Sequence, residues 1–365
     1  LAGGARVTQL IQSVDDFSQR YAIFASVPLG NGTVYVNAGD KGDPGLRDAP
    51  LRDLYYRAQH FSTVVPLMMT FRQALGEEVW HQDTNYANLT LDGVPLLEEY
   101  ENLNYAELLA QMERHDFHTT VAMPPATYQR SEASVVSLFL ANPHRYSVVQ
   151  SGNNRDGYEF YYYEVVDEAE SEYPPRPLHE QDQDIKEGLQ RMIEHQQTTS
   201  VPFERVMVFP YGISPAETLP LLKRMNYLAT VNAQDVPLGA TPPGDWDFSM
   251  QQSVLDFENF PVVPRRQFVN SFSNPDPIVR SAIFDLFIDR PALFWSTPTD
   301  GQLFTKGIDE FNVVADRMNA IPGDLEWRGA GGAPRSGAPG TKCARRGTAG
   351  AKVGAISRTR RLGPP

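Results

Sequence analysis

HTTVAMPPATYQRSEASVVSLFLANPHRYSVVQSGNN, residues 118–154, holds a strand, a helix and a second strand in succession. Thr119–Met123 is a short apolar run of strand length. Ser131 stands as an N-cap before Val135, Leu138 and Phe139, which recur at helical spacing. Tyr146–Val149 is the next apolar run, and the polar residues from Ser151 to Arg155 end it. A strand, a crossover helix and another buried strand make the repeating unit of a parallel sheet.

The same alternation extends in both directions. Further strands are expected at Ala87–Leu91, Val206–Phe209, Leu228–Val231, Ala292–Trp295 and Leu325–Trp327. Helices are expected from Asn104, which with Glu107 forms a capping box, and from Ser214-Pro215 with Glu217. Others are expected over His179–Gln196, Pro277–Ile288 and Ile308–Ala320. Six or seven parallel strands interleaved with helices close most economically as a barrel. The rival, an open doubly wound sheet, lacks both a Gly-x-Gly-x-x-Gly turn and a Gly-Lys-Ser/Thr turn after any strand. Residues 1–85 read as an extension packing on the barrel, with a strand at Thr33–Asn37, the loop AGDKGDPGLRDAP explained by turn chemistry, and a helix Val65–Leu75 stopped by Gly76. Residues 235–275, dense in proline and glycine, read as an insertion over one barrel face.

The 365 residues carry a formal charge of −13, unevenly spread. Residues 329–365 hold eight Lys and Arg and no acid, so the body through Arg328 has 24 basic and 45 acidic groups. An acidic body repels phosphate backbones and anionic lipid, which argues against nucleic acid and membrane surfaces and leaves neutral ligands such as sugars. No apolar run approaches the length of a membrane span. The single cysteine, Cys343, gives the body neither a disulfide framework nor a thiolate site. The chain opens at Leu1 with no signal-like segment, which leaves a cytoplasmic protein or an exported one whose N-terminus is missing. The Gly/Ala/Arg/Pro composition of residues 329–365 predicts disorder and also matches an out-of-frame reading of a G+C-rich gene.

LTLDG, HDFHTTVAMPPATYQRSEASVVSLFLANPHR, SVVQSGNNRDGYEF, VMVFPYGISPAETLPLLKRMNYLATVN, RPALFW and GIDEFNVVADRMNAIPGDLEW, in this order, resemble the polysaccharide deacetylases of the NodB-homology group over roughly residues 30–328. The resemblance implies an irregular (β/α)7 barrel over residues 86–328 that removes acetyl groups from carbohydrate with a divalent metal, usually zinc. It implies an Asp-Asp pair after the first strand, base then ligand, and His-x-x-x-His after the third. One carboxylate and two neutral imidazoles leave a metal position open for the attacking water.

This chain departs at the metal positions. Asp92 keeps the base position, but Gly93 replaces the second Asp, and Ser151 and Arg155 replace the two His. Glycine offers no side chain, serine is a poor zinc ligand and arginine repels a cation. No histidine lies between His144 and His179 or after His195 to take their place. No cofactor is therefore expected, and Arg155 is expected to pair with Asp92 in the cation's stead. Contacts to carbohydrate are expected from Asn153, Asn154, Arg155, Tyr211 and Trp295, and the Pro210-Tyr211-Gly212 N–H groups are placed for an oxyanion hole. Tyr158, Tyr161, Tyr162 and Tyr163 read equally as sugar platforms or as packing. His115 and His118 fall on the amino side of the barrel, and His81 with Asp83 precedes the first strand, so all read as structural. The function expected is a deacetylase-like protein of carbohydrate metabolism that binds carbohydrate without metal-dependent activity. The alternatives are an active deacetylase with a non-standard metal site and a non-catalytic scaffold.

Overall fold

A computed structural model describes residues 7–14, 18–38, 61–75, 84–154, 159–162, 164–167, 170–172, 174–232, 237, 239, 255–257, 260–268, 276–287, 290–298, 308–321 and 325–332. The first described elements are β1 (Thr8–Val14), β2 (Arg20–Leu29) and β3 (Gly32–Asn37), an antiparallel sheet in that order, followed by helix α1 (Phe61–Leu75). Of these strands only the third was expected.

The parallel sheet is built from β4 (Asn85–Asp92), β5 (Thr119–Met123), β6 (Tyr146–Ser151), β7 (Glu204–Val208) and β8 (Ala229–Asn232), each paired in parallel with the next. The helices between them are α2 (Tyr105–His115), α3 (Ala133–Ala141), α4 (Leu178–Thr199) and α5 (Leu219–Arg224). Asn104 caps α2 as expected, its side chain accepting from the Glu107 N–H at 3.0 Å. Ser131 does not cap α3. It bonds His195 Nε2 at 3.0 Å, and Glu132 holds the N-cap position without a side-chain bond. Ser214 is likewise not a cap: it is fully buried and receives a bond from Asn232 Nδ2 at 3.0 Å.

The next strand corrects the sequence reading. Residues 255–257 and 260–267, within the expected insertion, form β9 (Leu255–Phe257), β10 (Phe260–Pro264) and β11 (Arg266–Gln267). The strand β10 runs parallel to β8, with Thr230 opposite Val262. One residue further on, β11 runs parallel to β12 (Ala292–Ser296), with Arg266 opposite Phe294. In turn β12 pairs along β4 from Ala87 to Leu91, which closes a seven-stranded parallel barrel. The chain from Phe260 to Gln267 is thus the sixth barrel strand, bent at Arg265 so that each half serves a different neighbour. Helices α6 (Asp276–Phe287) and α7 (Ile308–Asn319) follow the sixth and seventh strands. The segment expected as the seventh strand, β13 (Leu325–Trp327), is a short parallel addition to the first residues of β4.

Alternation along each strand sorts the side chains. Leu89, Leu91, Val121 and Phe294 face the helices in one large core. Ala122, Val149, Val206, Val208, Ala229, Val231, Val263 and Leu293 fill the barrel itself and are joined by Ala330. Ala330, within the expected tail, is fully buried, and Gly331 lies against Glu204 of β7. Residues 333–365, the remainder of the expected tail, lie outside the described residues, as do most of residues 233–254 and the AGDKGDPG loop. Helix α1 rests on α6, with Phe61 and Phe287 ring centroids 6.5 Å apart and Arg72 donating to the Phe287 carbonyl. Among the described residues no helix is long and apolar enough to cross a membrane.

Candidate functional site

The inward alternation of β4 runs Asn88, Thr90, Asp92, so the last of these reaches the carboxyl end of the barrel. Gly93 follows with φ +70°, a turn conformation that glycine adopts without strain, and its N–H bonds the Ala122 carbonyl at 3.0 Å. The bend in the sixth strand sends Arg265 into the barrel and Arg266 outward. Arg265 donates NH1 to one Asp92 oxygen at 2.7 Å and NH2 to the other at 2.8 Å, a bidentate pair. The guanidinium is fully buried and the carboxylate 14% exposed. Its flat face lies 5.5 Å from the Trp295 ring centroid, a cation–π stack from the end of β12. Two N–H donors in this group, Arg265 Nε and Trp295 Nε1, are buried and lack an acceptor among the described residues. Arg266, facing out, makes its own bidentate pair with Asp285 of α6. Both halves of the closing strand are thereby fixed by an arginine.

The sequence reading expected a guanidinium on Asp92 but named Arg155. Arg155 lies outside the described residues, and both Asp92 oxygens are held by Arg265. No pattern in the sequence separated Arg265 from its neighbour, because VVPRRQF sits in a stretch whose prolines and glycines read as loop.

Ser151 closes β6 and is buried. Past it, Gly152 adopts φ +51°, where an added Cβ would meet Glu159 Oε1 and Pro210 Cγ, each at 2.9 Å. This turn aims the N–H groups of Asn153 and Asn154 at Glu159 Oε1, an internal carboxylate held in a small nest of backbone donors. Burial pushes the Glu159 carboxyl above its ordinary range, against the lowering effect of those donors. Asn153 does not present its side chain to a ligand. It receives a bond from Arg191 at 2.7 Å and donates to Asp184 at 3.2 Å, which ties the loop to α4. Asn154 is half-buried.

Pro210-Tyr211-Gly212 is a 3-10 turn at the end of β7 with Tyr211 at φ +56° and largely exposed. The Gly212 N–H bonds the Phe209 carbonyl and the Ile213 N–H the Pro210 carbonyl, so the turn itself consumes these donors and they do not make an oxyanion hole. Tyr161 is buried, and Tyr162 lies under Arg176 at 5.8 Å; Tyr158 and Tyr163 fall outside the described residues, as do His81 and Asp83.

The two remaining histidines that resembled ligands are structural. His115 bonds Asp316 at 2.8 Å. His118 points into the amino end of the barrel, where Nδ1 meets the His144 carbonyl and Nε2 the Ser147 hydroxyl, both at 3.0 Å. Ser147 in turn meets Thr120, which receives from Asn88, and burial lowers the His118 pKa to about 4.

The zinc of the resembled family does not fit this donor set. Gly93 has no donor, Ser151 offers only a hydroxyl, and the Asp92 carboxylate is committed to a guanidinium. Among the described residues no group of three or more His, Cys, Asp or Glu could hold a metal ion.

No protein-family model matches the chain. No curated protein matches it. Solved structures similar in fold include several polysaccharide deacetylases. One assigned so from Mycobacterium smegmatis shares 12% identity over 71% of this chain and 92% of its own, with a TM-score of 0.46. One from Bacillus cereus shares 12% over 67% of this chain and 92% of its own, with a TM-score of 0.37. The Puue allantoinase shares 11% over 72% of this chain and 94% of its own, with a TM-score of 0.43. At these identities the likeness is one of fold.

Proposed function

We propose that this chain is a polysaccharide-deacetylase-like protein that binds carbohydrate at the carboxyl end of its barrel and lacks metal-dependent deacetylation. The observation that carries the reading is the Asp92–Arg265 pair beside Gly93 and Ser151. A fixed guanidinium occupies both oxygens of the Asp92 carboxylate, and among the described residues no imidazole or second carboxylate adjoins it to complete a zinc set. Among the described residues the Asp92 and Arg265 charges offset each other at the mouth, which suits an uncharged ligand. Trp295, half-buried at the end of β12, offers an aromatic surface of the kind that stacks on a sugar ring. Asn154, Tyr211 and Arg155 are the further contacts this reading assigns to the ligand.

The test has two arms on the purified protein. Metal analysis is expected to find well under one equivalent of zinc, with no acetate released from acetylated chitooligosaccharides or xylan. Titration with neutral oligosaccharides is expected to show saturable binding that Trp295→Ala weakens at least tenfold. Stoichiometric zinc with chelator-sensitive acetate release overturns the inactive assignment and favours a working deacetylase. Absence of binding across a glycan panel overturns the carbohydrate assignment and favours a scaffold.

A further inference from the structure

The segment just past the last strand is bound to the amino end of the barrel as a ligand is bound. The Arg328 N–H donates to the Ala87 carbonyl at 3.1 Å, and the Arg328 carbonyl accepts from Asn88 Nδ2 at 2.6 Å. The Ala330 N–H donates to Thr120 Oγ1 at 3.1 Å, and the Gly331 N–H donates to a Glu204 carboxylate oxygen at 2.7 Å. The Gly332 N–H turns back to the Gly329 carbonyl at 2.9 Å. Four backbone N–H groups are thus satisfied, three of them by three different barrel strands. The Ala330 methyl is fully buried among Ala122, Val149, Val206 and Ala229.

The fit leaves little room for a larger residue at two positions, where a Cβ would crowd Glu204. A Cβ on Gly329 would stand 2.6 Å from Glu204 Oε1 and 2.8 Å from Ser147 Oγ. One on Gly331 would stand 3.0 Å from the Glu204 carboxyl carbon. At Gly332 the nearest atoms are 3.4 and 3.6 Å away on Arg328, which is ordinary contact. Main-chain bonds to three strands, one small side chain in the core and crowding on either side are the features of a site that takes a short, small-residue turn.

We propose that the amino end of the barrel is a binding site for a short small-residue peptide turn, filled in this molecule by its own Arg328–Gly332 segment. The site is independent of the carbohydrate reading, since it lies at the opposite end of the strands. Occupation completes the amino end of the barrel: Ala330 joins the alanines and valines of the barrel core, and the main chain meets the polar groups Asn88, Thr120 and Glu204 around it.

The full-length chain carries the first test. Gly329→Val and Gly331→Val are expected to lower the melting temperature by more than about 5 °C, and Gly332→Val to leave it within about 2 °C. The Ala330 and Gly331 amides are expected to exchange slowly with deuterium. Equal melting of all three variants with the parent, or fast exchange at both amides, overturns the proposal. The second test uses a chain ending at Trp327 and a synthetic peptide of the sequence Arg-Gly-Ala-Gly-Gly. Excess peptide is expected to raise the melting temperature by several degrees, or the refolding yield if the short chain does not fold unaided. The same peptide with valine at the position of Gly331 is expected to have no effect. No response to the first peptide, or an equal response to both, overturns it.

Discussion

A single carboxylate decides what the barrel mouth can do. Asp92 is near-buried and bound at both oxygens, so removing its partner leaves a charge with neither solvent nor a counterion. Replacing Arg265 by alanine is expected to destabilise the fold by about 3–5 kcal/mol, whereas the double change with Asp92→Asn should recover much of that loss. Urea denaturation of the two variants and the parent checks this, and a loss below about 1 kcal/mol for Arg265→Ala refutes it. At the opposite end of the strands, His118 gives the fold a pH dependence of known sign. Above its ordinary pKa of 6.5 it is neutral whether the chain is folded or not. As pH falls below that value the unfolded chain binds a proton that the folded chain resists until about 4, so stability drops across this window and levels off beneath it. The full drop is on the order of 3 kcal/mol. Denaturation at pH 7 and pH 4.5 should show a smaller loss for His118→Gln than for the parent, and equal losses refute the assignment. At this scale the sequence made Asp92 and Trp295 visible, since both stand at the ends of apolar runs, and it marked His118 as structural. It hid Arg265, because an inward arginine is recognisable only once the residues around it are known to be a strand.

Helix α4 shows how an element sets a loop. Gly188 sits in its middle, where alanine would ordinarily gain about 0.5–1 kcal/mol. Here a Cβ would stand 2.5 Å from Gln150 Nε2 and 3.1 Å from the Gly152 carbonyl, two groups that bond each other at 2.8 Å. Gly188→Ala is therefore expected to destabilise by about 1–3 kcal/mol, the cost of overpacking, and to displace the loop after β6. Thermal melts decide it, and a variant more stable than the parent refutes it. Elements with a clear period were legible: α4, α6, α7 and six of the barrel strands fall within a few residues of their expected bounds. The sixth strand was not, because FPVVPRRQF carries two prolines that read as breakers. Pro264 is tolerated beside the bend at Arg265, where the strand passes from one neighbour to the other, and Pro261 stands at the start of the strand. The antiparallel pair β1 and β2 went unread: β1 is mixed and mostly exposed, and the apolar run Tyr21–Ala25 of β2, with Phe24 and Ala25 buried, was passed over.

For the molecule as a whole, the decisive event is closure of the first strand against late ones. Phe311 of α7 gathers that closure, with ring centroids 5.2 Å from Phe117, 5.2 Å from Phe268, 5.5 Å from Phe294 and 6.1 Å from Trp327. Phe311→Ala should cost about 3–5 kcal/mol, measured by denaturation, and a loss under about 1 kcal/mol refutes this role. The fold class was legible because each strand–helix unit is locally coded, whereas closure depends on side chains far apart in the chain. The Asp92–Arg265 pair spans 173 residues of sequence. On a ribosome adding about 5–20 residues per second, Asp92 waits about 10–35 s for its partner to be synthesised. During that interval the nascent first strand has β5 beside it and no neighbour on its other edge. The period of greatest exposure to mispairing for this protein therefore falls within its own synthesis, and a pause between Asp92 and Arg265 would lengthen it.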